Sequence, residues 1–231
     1  GLLTQQKMLR AAVKLFLEKG YEGTTTAEIA RAAGMTPSSF FRAFPSKEAL
    51  LLELDKRMFS GQFALAEQHS AAQDPVLLYA VETAIQMALT ELNENLREIY
   101  IEAYTQKEAS EYIFRETARE LYDIFGPYQP QLTAEDFYML ELGSAGLMRG
   151  YMAQPCGGAL TLEKKLECFL TLSLRGYGVP EQEIQQALAF LRTMDLRAVG
   201  QRTIERLFHA LEMRYDFQLG AASCGEREEN T

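Results

Sequence analysis

Residues 24–50 read TTTAEIARAAGMTPSSFFRAFPSKEAL, and the spacing of caps and apolar side chains in this stretch sets the architecture. Thr25 stands three residues before Glu28, so hydroxyl and carboxylate can cap each other's backbone N–H groups while Ile29, Ala30 and Ala33 supply an apolar face. This predicts a helix over 26–33. Gly34 tolerates the left-handed backbone that closes a helix, Thr36 offers the next N-cap oxygen, and Pro37 suits a first helical position, where its missing N–H would be unpaired anyway. A short second helix over 37–44 follows. Ser46 then caps a longer one in which Leu50, Leu54 and Met58 recur every four positions.

Upstream, Met8, Ala12, Leu15 and Phe16 keep helical spacing as far as a stop at Gly20, giving a helix over 4–19 that can cover the pair. Two short helices joined by a glycine turn, with a covering helix in front, make a helix-turn-helix. In the second of them Phe40 and Phe44 lie one turn apart and can face inward, which leaves Pro37, Ser38, Ser39 and Arg42 outward, where a DNA major groove would meet them. Thr25, Thr36 and Ser39 are neutral donors for phosphate oxygens. Lys47 sits in the first turn of its helix, where a cation opposes the macrodipole, and a DNA phosphate would justify it.

The run from Ala11 to Leu50 closely resembles the N-terminal domain of the tetracycline-repressor (TetR) family: the aliphatic first helix with Phe16, Gly20, Thr24-Thr25, Ile29-Ala30, Ala33-Gly34, Phe44, and Lys47-Glu48 before Leu50. The resemblance covers about a fifth of the chain. It implies an all-α protein, a homodimer that binds a double-stranded DNA operator and lets go when a small-molecule inducer enters the C-terminal domain. Two departures stand out. Where the family usually has a phosphate-bonding tyrosine this chain has Phe41, which packs but cannot donate. The next position, often histidine, is Arg42, whose donor fork can grip a phosphate or bind guanine through two acceptors.

Composition fits that division. The 231 residues are 47% hydrophobic and 24% charged, enough for a small DNA-binding module, residues 1–48, fused to a larger helical bundle for ligand binding and dimerisation, residues 49–222, with a polar disordered tail at 223–231. The net charge of −9 argues against nucleic acid at first sight. It is unevenly spread. Residues 1–57 carry 9 Lys or Arg against 6 Asp or Glu, and the remainder 14 against 26. A cationic head on an acidic body confines DNA to the head.

No window is apolar enough to span a membrane, and Lys7, Arg10 and Lys14 interrupt the N-terminal apolar residues too often for a signal peptide, so a cytoplasmic protein is expected. Cys156, Cys168 and Cys224 are widely spaced with no CxxC pair, so neither a disulfide framework nor a metal site is indicated, and no cofactor motif occurs. His69 and His209 lack the constellations of catalysis, and scattered Asp and Glu read as solvated helix faces. The rival to a DNA-binding regulator is therefore a helical adaptor that does not bind DNA.

Behind the head the expected helices span 76–92, 97–107, 110–125, 134–153, 162–176, 180–194 and a last one around Ile204 to Leu211. Leu140, Gly143, Leu147 and Tyr151 on one helix, and Leu166, Phe169, Leu170 and Leu174 on the next, form apolar stripes suited to a dimer interface or to burial within one subunit. The helices past Tyr177 could pack on that interface or on the ligand domain. Met87, Tyr100, Tyr104, Tyr122, Phe125 and Met148 are candidate lining for an adaptable pocket. Tyr100 and Tyr104, with Glu98 and Glu102 nearby, suit an apolar or cationic aromatic ligand.

Overall fold

The computed structural model describes residues 1–69 and 74–211; the tail expected over 223–231 and Cys224 lie outside them. Eleven α-helices follow one another: α1 (Leu2–Lys19), α2 (Thr26–Ala32), α3 (Pro37–Ala43), α4 (Lys47–His69), α5 (Pro75–Thr90), α6 (Glu94–Ala103), α7 (Lys107–Phe125), α8 (Ala134–Ala153), α9 (Leu162–Gly176), α10 (Glu181–Leu191) and α11 (Leu196–Ala210). Among the described residues the only β-type pairing is an isolated bridge between Gly157 and Leu160. The all-α expectation holds, and no described helix is long and apolar enough to cross a membrane.

The expected caps form. Thr25 and Glu28 make a reciprocal capping box, as do Thr133 and Asp136, and Ser46 Oγ accepts the Ala49 N–H at 3.1 Å. Gly34, at φ 73°, lets Met35 N–H reach Ala30 O and Gly34 N–H reach Arg31 O, closing α2. Thr36 is the N-cap of α3, but its hydroxyl does not cap backbone: it bonds Ser38 Oγ at 3.0 Å and Ser39 Oγ at 2.9 Å instead. Helix α6 starts three residues earlier than spacing suggested, because Asn93 accepts the Leu96 N–H, and it ends at Ala103 rather than running on to 107. Asp195 likewise opens α11 through the Ala198 N–H.

Helix α5 is the axis of the body. Thirteen of its sixteen residues are buried, as expected of a helix apolar all round, and α4, α6, α7, α8, α9, α10 and α11 all pack on it. The extra helices α10 and α11 thus belong to the core around α5, not to an outlying appendage. The stripe Leu166, Phe169, Leu170 and Leu174 of α9 is at most 2% exposed within this one chain; burial inside the subunit, not a dimer seam, explains it. Of the α8 stripe, Leu140 and Tyr151 are half-buried and Leu147 is 37% exposed, and with Met139, Leu142 and Leu172, at 62%, 38% and 52%, it forms what α8 and α9 leave outward. Beside them Gly143, Gly146 and Gly150 have nothing within 4 Å of where a Cβ would stand.

The turn after α8 is tied down by charge. Glu91, capping α5, accepts from Lys165 Nζ at 2.5 Å, Arg97 Nη2 at 3.0 Å and the Cys156 N–H at 3.0 Å. Lys165, 1% exposed, also bonds the Gln154 carbonyl.

Candidate nucleic-acid interface and internal cavity

Helix α3 buries Phe40 and Phe44, at 0% and 4% exposure, against the head's core, and their one-turn spacing fixes which residues turn outward. Thr36, Pro37, Ser38, Phe41 and Arg42 are exposed and Ser39 half-buried. Phe41 is 61% exposed, an apolar ring standing in water. Arg42 is aimed rather than loose. Its Nη2 donates to Ser39 Oγ at 3.0 Å, and Ser39 continues through Thr36 to Ser38 in a chain of hydroxyls. Guanidinium, three hydroxyls and one aromatic ring therefore share one outward face, a composition suited to phosphate oxygens and base edges.

Two of the expected phosphate donors have partners inside the protein. The Thr25 hydroxyl accepts the Glu28 N–H and donates to Glu28 Oε2 at 2.8 Å, and Lys19 Nζ holds the same carboxylate from 2.5 Å. The Lys19 ammonium, with the Thr25 N–H and hydroxyl, keeps the Glu28 carboxyl down at about 2. Lys47 Nζ donates to the carbonyls of Tyr21, at 3.0 Å, and Thr24, at 3.2 Å, and lies 4.0 Å from the centre of the Tyr21 ring. The cation that opposes the α4 macrodipole is thus stabilised by the turn between α1 and α2, and two of its three N–H donors are used there.

Helix α6 joins head to body. Its Asn95 Nδ2 donates to Leu17 O at 2.8 Å, and Glu98 accepts the backbone N–H groups of Tyr21 and Glu22. Glu98 is therefore engaged with the head and does not border the cavity. At the other end of α6, Tyr104 caps the helix and takes a 2.7 Å hydrogen bond from Gln86 Nε2 on α5.

Tyr104 also borders a small cavity of about 30 Å³ walled by α5, α7, α8 and α9, among whose lining residues are Glu82, Gln86, Glu120, Glu141, Met148 and Phe169. Of the six ligand candidates, Tyr104 and Met148 reach this cavity. Met87, Tyr100 and Phe125 are core residues, at most 5% exposed, and Tyr122 is 41% exposed on the outside. Phe125 is held in an aromatic cluster, stacked 4.8 Å from Tyr177 and edge-on to Tyr79 at 5.3 Å. Three glutamates depart from the solvated helix faces expected of Asp and Glu: Glu141 is buried, and Glu82 and Glu120 are half-buried at the cavity. Burial pushes Glu82 to about 8; burial followed by the nearby Glu82 pushes Glu120 to about 9 and, against a Ser144 hydrogen bond, Glu141 to about 8. The signal was present in α5, where Glu82 is the one charged residue of an otherwise apolar helix.

A wider cleft of about 480 Å³ opens where the end of α5 meets the start of α9 and the α10–α11 turn, against Leu92, Leu162, Leu191 and Leu196. It touches neither α6 nor the head. No three His, Cys, Asp or Glu side chains among the described residues are grouped to hold a metal ion.

Residues 8–54 match the family model of bacterial regulatory proteins of the tetR family. Over 73 residues the chain is 37% identical to the HTH-type transcriptional regulator TcmR of Streptomyces glaucescens, a stretch that is 32% of each chain. Over 94 residues it is 33% identical to the uncharacterized HTH-type transcriptional regulator YuxN of Bacillus subtilis (strain 168), 41% of this chain and 31% of YuxN. The matched stretches thus span about a third of these relatives' own length. A crystal structure of RolR in complex with the ligand resorcinol has the same fold, with a TM-score of 0.62 at 21% identity, covering 80% of this chain and 93% of that one.

Proposed function

We propose, from a head that matches the family model of bacterial regulatory proteins of the tetR family, that the chain is a repressor of transcription that binds a palindromic operator as a homodimer and is released by a small-molecule inducer. The observation that carries this reading is the polar outward face of α3, with Arg42 aimed by Ser39 while Phe40 and Phe44 anchor the helix from behind. Pro37, Ser38, Phe41 and Arg42 meet the major groove, Thr36 and Ser39 approach phosphates, and Lys47 and Thr25 hold the turn that presents them. The exposed Met139, Leu142, Leu147 and Leu172 with their neighbouring glycines supply the dimer face, since an uncovered apolar face on paired helices is costly in water.

The inducer site is the cavity bordered by Tyr104, because α6 runs from that cavity to the head. A ligand that binds a wider cavity better than the closed one shifts α6, and with it the spacing of the two heads. That RolR, of the same fold, is in complex with the ligand resorcinol is consistent with a small molecule as the inducer here. Selection of bound fragments from random duplex DNA tests the whole reading. A two-fold symmetric consensus, bound with an affinity that falls steeply with salt, is expected; enrichment of no sequence overturns it.

A further inference from the structure

We propose that the ligand of the internal cavity is a protonated amine with an apolar body, held through Glu82, Glu120 and Glu141. This deepens the inducer reading above and rests on it for the site's role, though not for the binding itself.

Three helices deliver carboxyls to one small space: Glu82 from α5, Glu120 from α7 and Glu141 from α8. No Lys, Arg or His lines it. Glu82 has no hydrogen bond or ion pair among the described residues, and burial alone accounts for its raised protonation. Glu141 is 4% exposed, and its one hydrogen-bond donor is the neutral Ser144 hydroxyl, 2.7 Å from Oε2. Holding a buried Glu141 and a half-buried Glu82 with no cation beside them costs stability and gives the fold nothing. A partner from outside the chain accounts for it.

The chemistry of that partner follows by exclusion. An anion would find no Lys, Arg or His to pair with. A metal ion needs ligands gathered on one point, and these carboxyls are not so grouped. An ammonium donates separate hydrogen bonds in different directions, and its carbon body would lie against Phe169 and Met148 with the rings of Tyr79 and Tyr104 beside the charge. A water needs roughly 10–15 Å³ of such space, so the closed cavity of about 30 Å³ holds little more. An amine of any size must therefore part α5, α7 and α8, which is the movement that α6 would carry to the head.

The titratable groups that line the cavity are all acidic or phenolic: Tyr79 and Glu82 on α5, Tyr104 at the end of α6, Glu120 on α7 and Glu141 on α8, with Glu116 and Asp123 acting on Glu120 from along α7. Near pH 7 Glu82 and Glu141 keep their protons in the absence of a cation. An ammonium brought among them favours the ionised form, so protons pass to the buffer as the amine binds.

Titration calorimetry on the full chain tests this with phenethylamine and 1,4-diaminobutane against their neutral counterparts 2-phenylethanol and 1,4-butanediol, and against magnesium and manganese chloride alone. Each is measured at pH 7 in phosphate and in Tris. At least one amine is expected to bind about tenfold or more tighter than its neutral counterpart, with a heat that differs between the buffers as proton release requires. Glu82→Gln and Glu141→Gln, which keep the shape of the protonated acid, should each weaken that amine about tenfold, and Glu167→Gln on exposed α9 surface should not. Failure of both amines to bind, equal binding of the neutral counterpart, binding without proton release, or tight binding of either metal overturns the proposal. An amine that binds with this signature yet leaves operator binding unchanged upholds the ligand class and rejects the inducer role.

Discussion

Glu98 holds Tyr21 by its backbone: Oε2 accepts the Tyr21 N–H at 3.1 Å while Oε1 takes the adjoining Glu22 N–H at 3.0 Å. The approach is possible because the preceding residue is Gly20. Its φ is +81°, and a Cβ there would stand 2.4 Å from Glu98 Oε2. Gly20→Ala is therefore expected to cost about 2 kcal/mol or more, combining left-handed strain with a broken charged contact. Glu98→Ala should cost about 1–3 kcal/mol and weaken the response of operator binding to ligand more than operator binding itself. Chemical unfolding and operator titration with and without ligand check both.

Lys47 braces the turn between α1 and α2, whereas Arg42 is the residue proposed to meet DNA. Lys47→Ala removes two charge-assisted hydrogen bonds to carbonyls and a ring contact, so thermal unfolding should show a loss of about 2 kcal/mol. Arg42 is exposed, and Arg42→Ala should change stability by no more than about 0.5 kcal/mol. On DNA, Arg42→Ala should lower the salt slope by about 1, or relax one base position by about 1–3 kcal/mol. Operator affinity that survives Arg42→Ala unchanged at every salt concentration removes that residue from the interface.

The head was legible in the sequence because its determinants are local. A hydroxyl and a carboxylate three apart, a glycine after an alanine run, and two phenylalanines one turn apart each act within a few residues, and each formed as spaced. The N-caps Asn93 and Asp195 were equally local and went unread, which is why α6 was displaced by three residues. The cavity was not legible in the same way. Glu120 and Glu141 stand in helices with polar neighbours, and only the packing of α7 and α8 on α5 turns them inward. Glu98, taken for a ligand group beside Tyr100, faces the head for a similar reason: contact between α1 and α6 spans more than seventy residues of sequence.

Stability should fall as pH rises. Glu82 and Glu141 hold their protons to about 8 in the fold, against 4.5 when unfolded. Below 4.5 both states are protonated and nothing is lost. Between there and about 8 the unfolded chain ionises while the folded one does not, so the folded state loses ground until the native groups ionise too. The melting temperature should drop from pH 5 to pH 8.5. Glu82→Gln should flatten that slope, and a slope unaltered by it contradicts the burial of that carboxyl.

Glu91 is the opposite case. Burial opposes its ionisation, yet the Lys165 ammonium, the Cys156 N–H and Arg97 hold it below its ordinary value. Glu91→Gln leaves Lys165, 1% exposed, without a counter-charge. The expected loss is about 3–5 kcal/mol, read by denaturant midpoint. Lys165→Met in the same background should recover part of it, because an apolar side chain of similar length needs no partner.

The glycines of α8 distinguish a dimer face from bare surface by the sign of one substitution. A mid-helix glycine costs about 1 kcal/mol against alanine, and Gly146 has open space around its absent Cβ within this chain. If water covers that face, Gly146→Ala stabilises the protein by about that amount and leaves its mass in solution unchanged. If a second copy of α8 lies there, the added methyl group separates the helices, and the dimer dissociates at higher concentration than wild type. Leu147→Glu, which places charge beside that glycine on the same exposed face, should dissociate it further. Because two heads must meet half-sites about one turn of DNA apart, operator affinity should fall with each step. Sedimentation equilibrium of the three proteins, read beside their operator affinities, decides it: a wild type that stays monomeric at operator-binding concentrations rules out the paired heads.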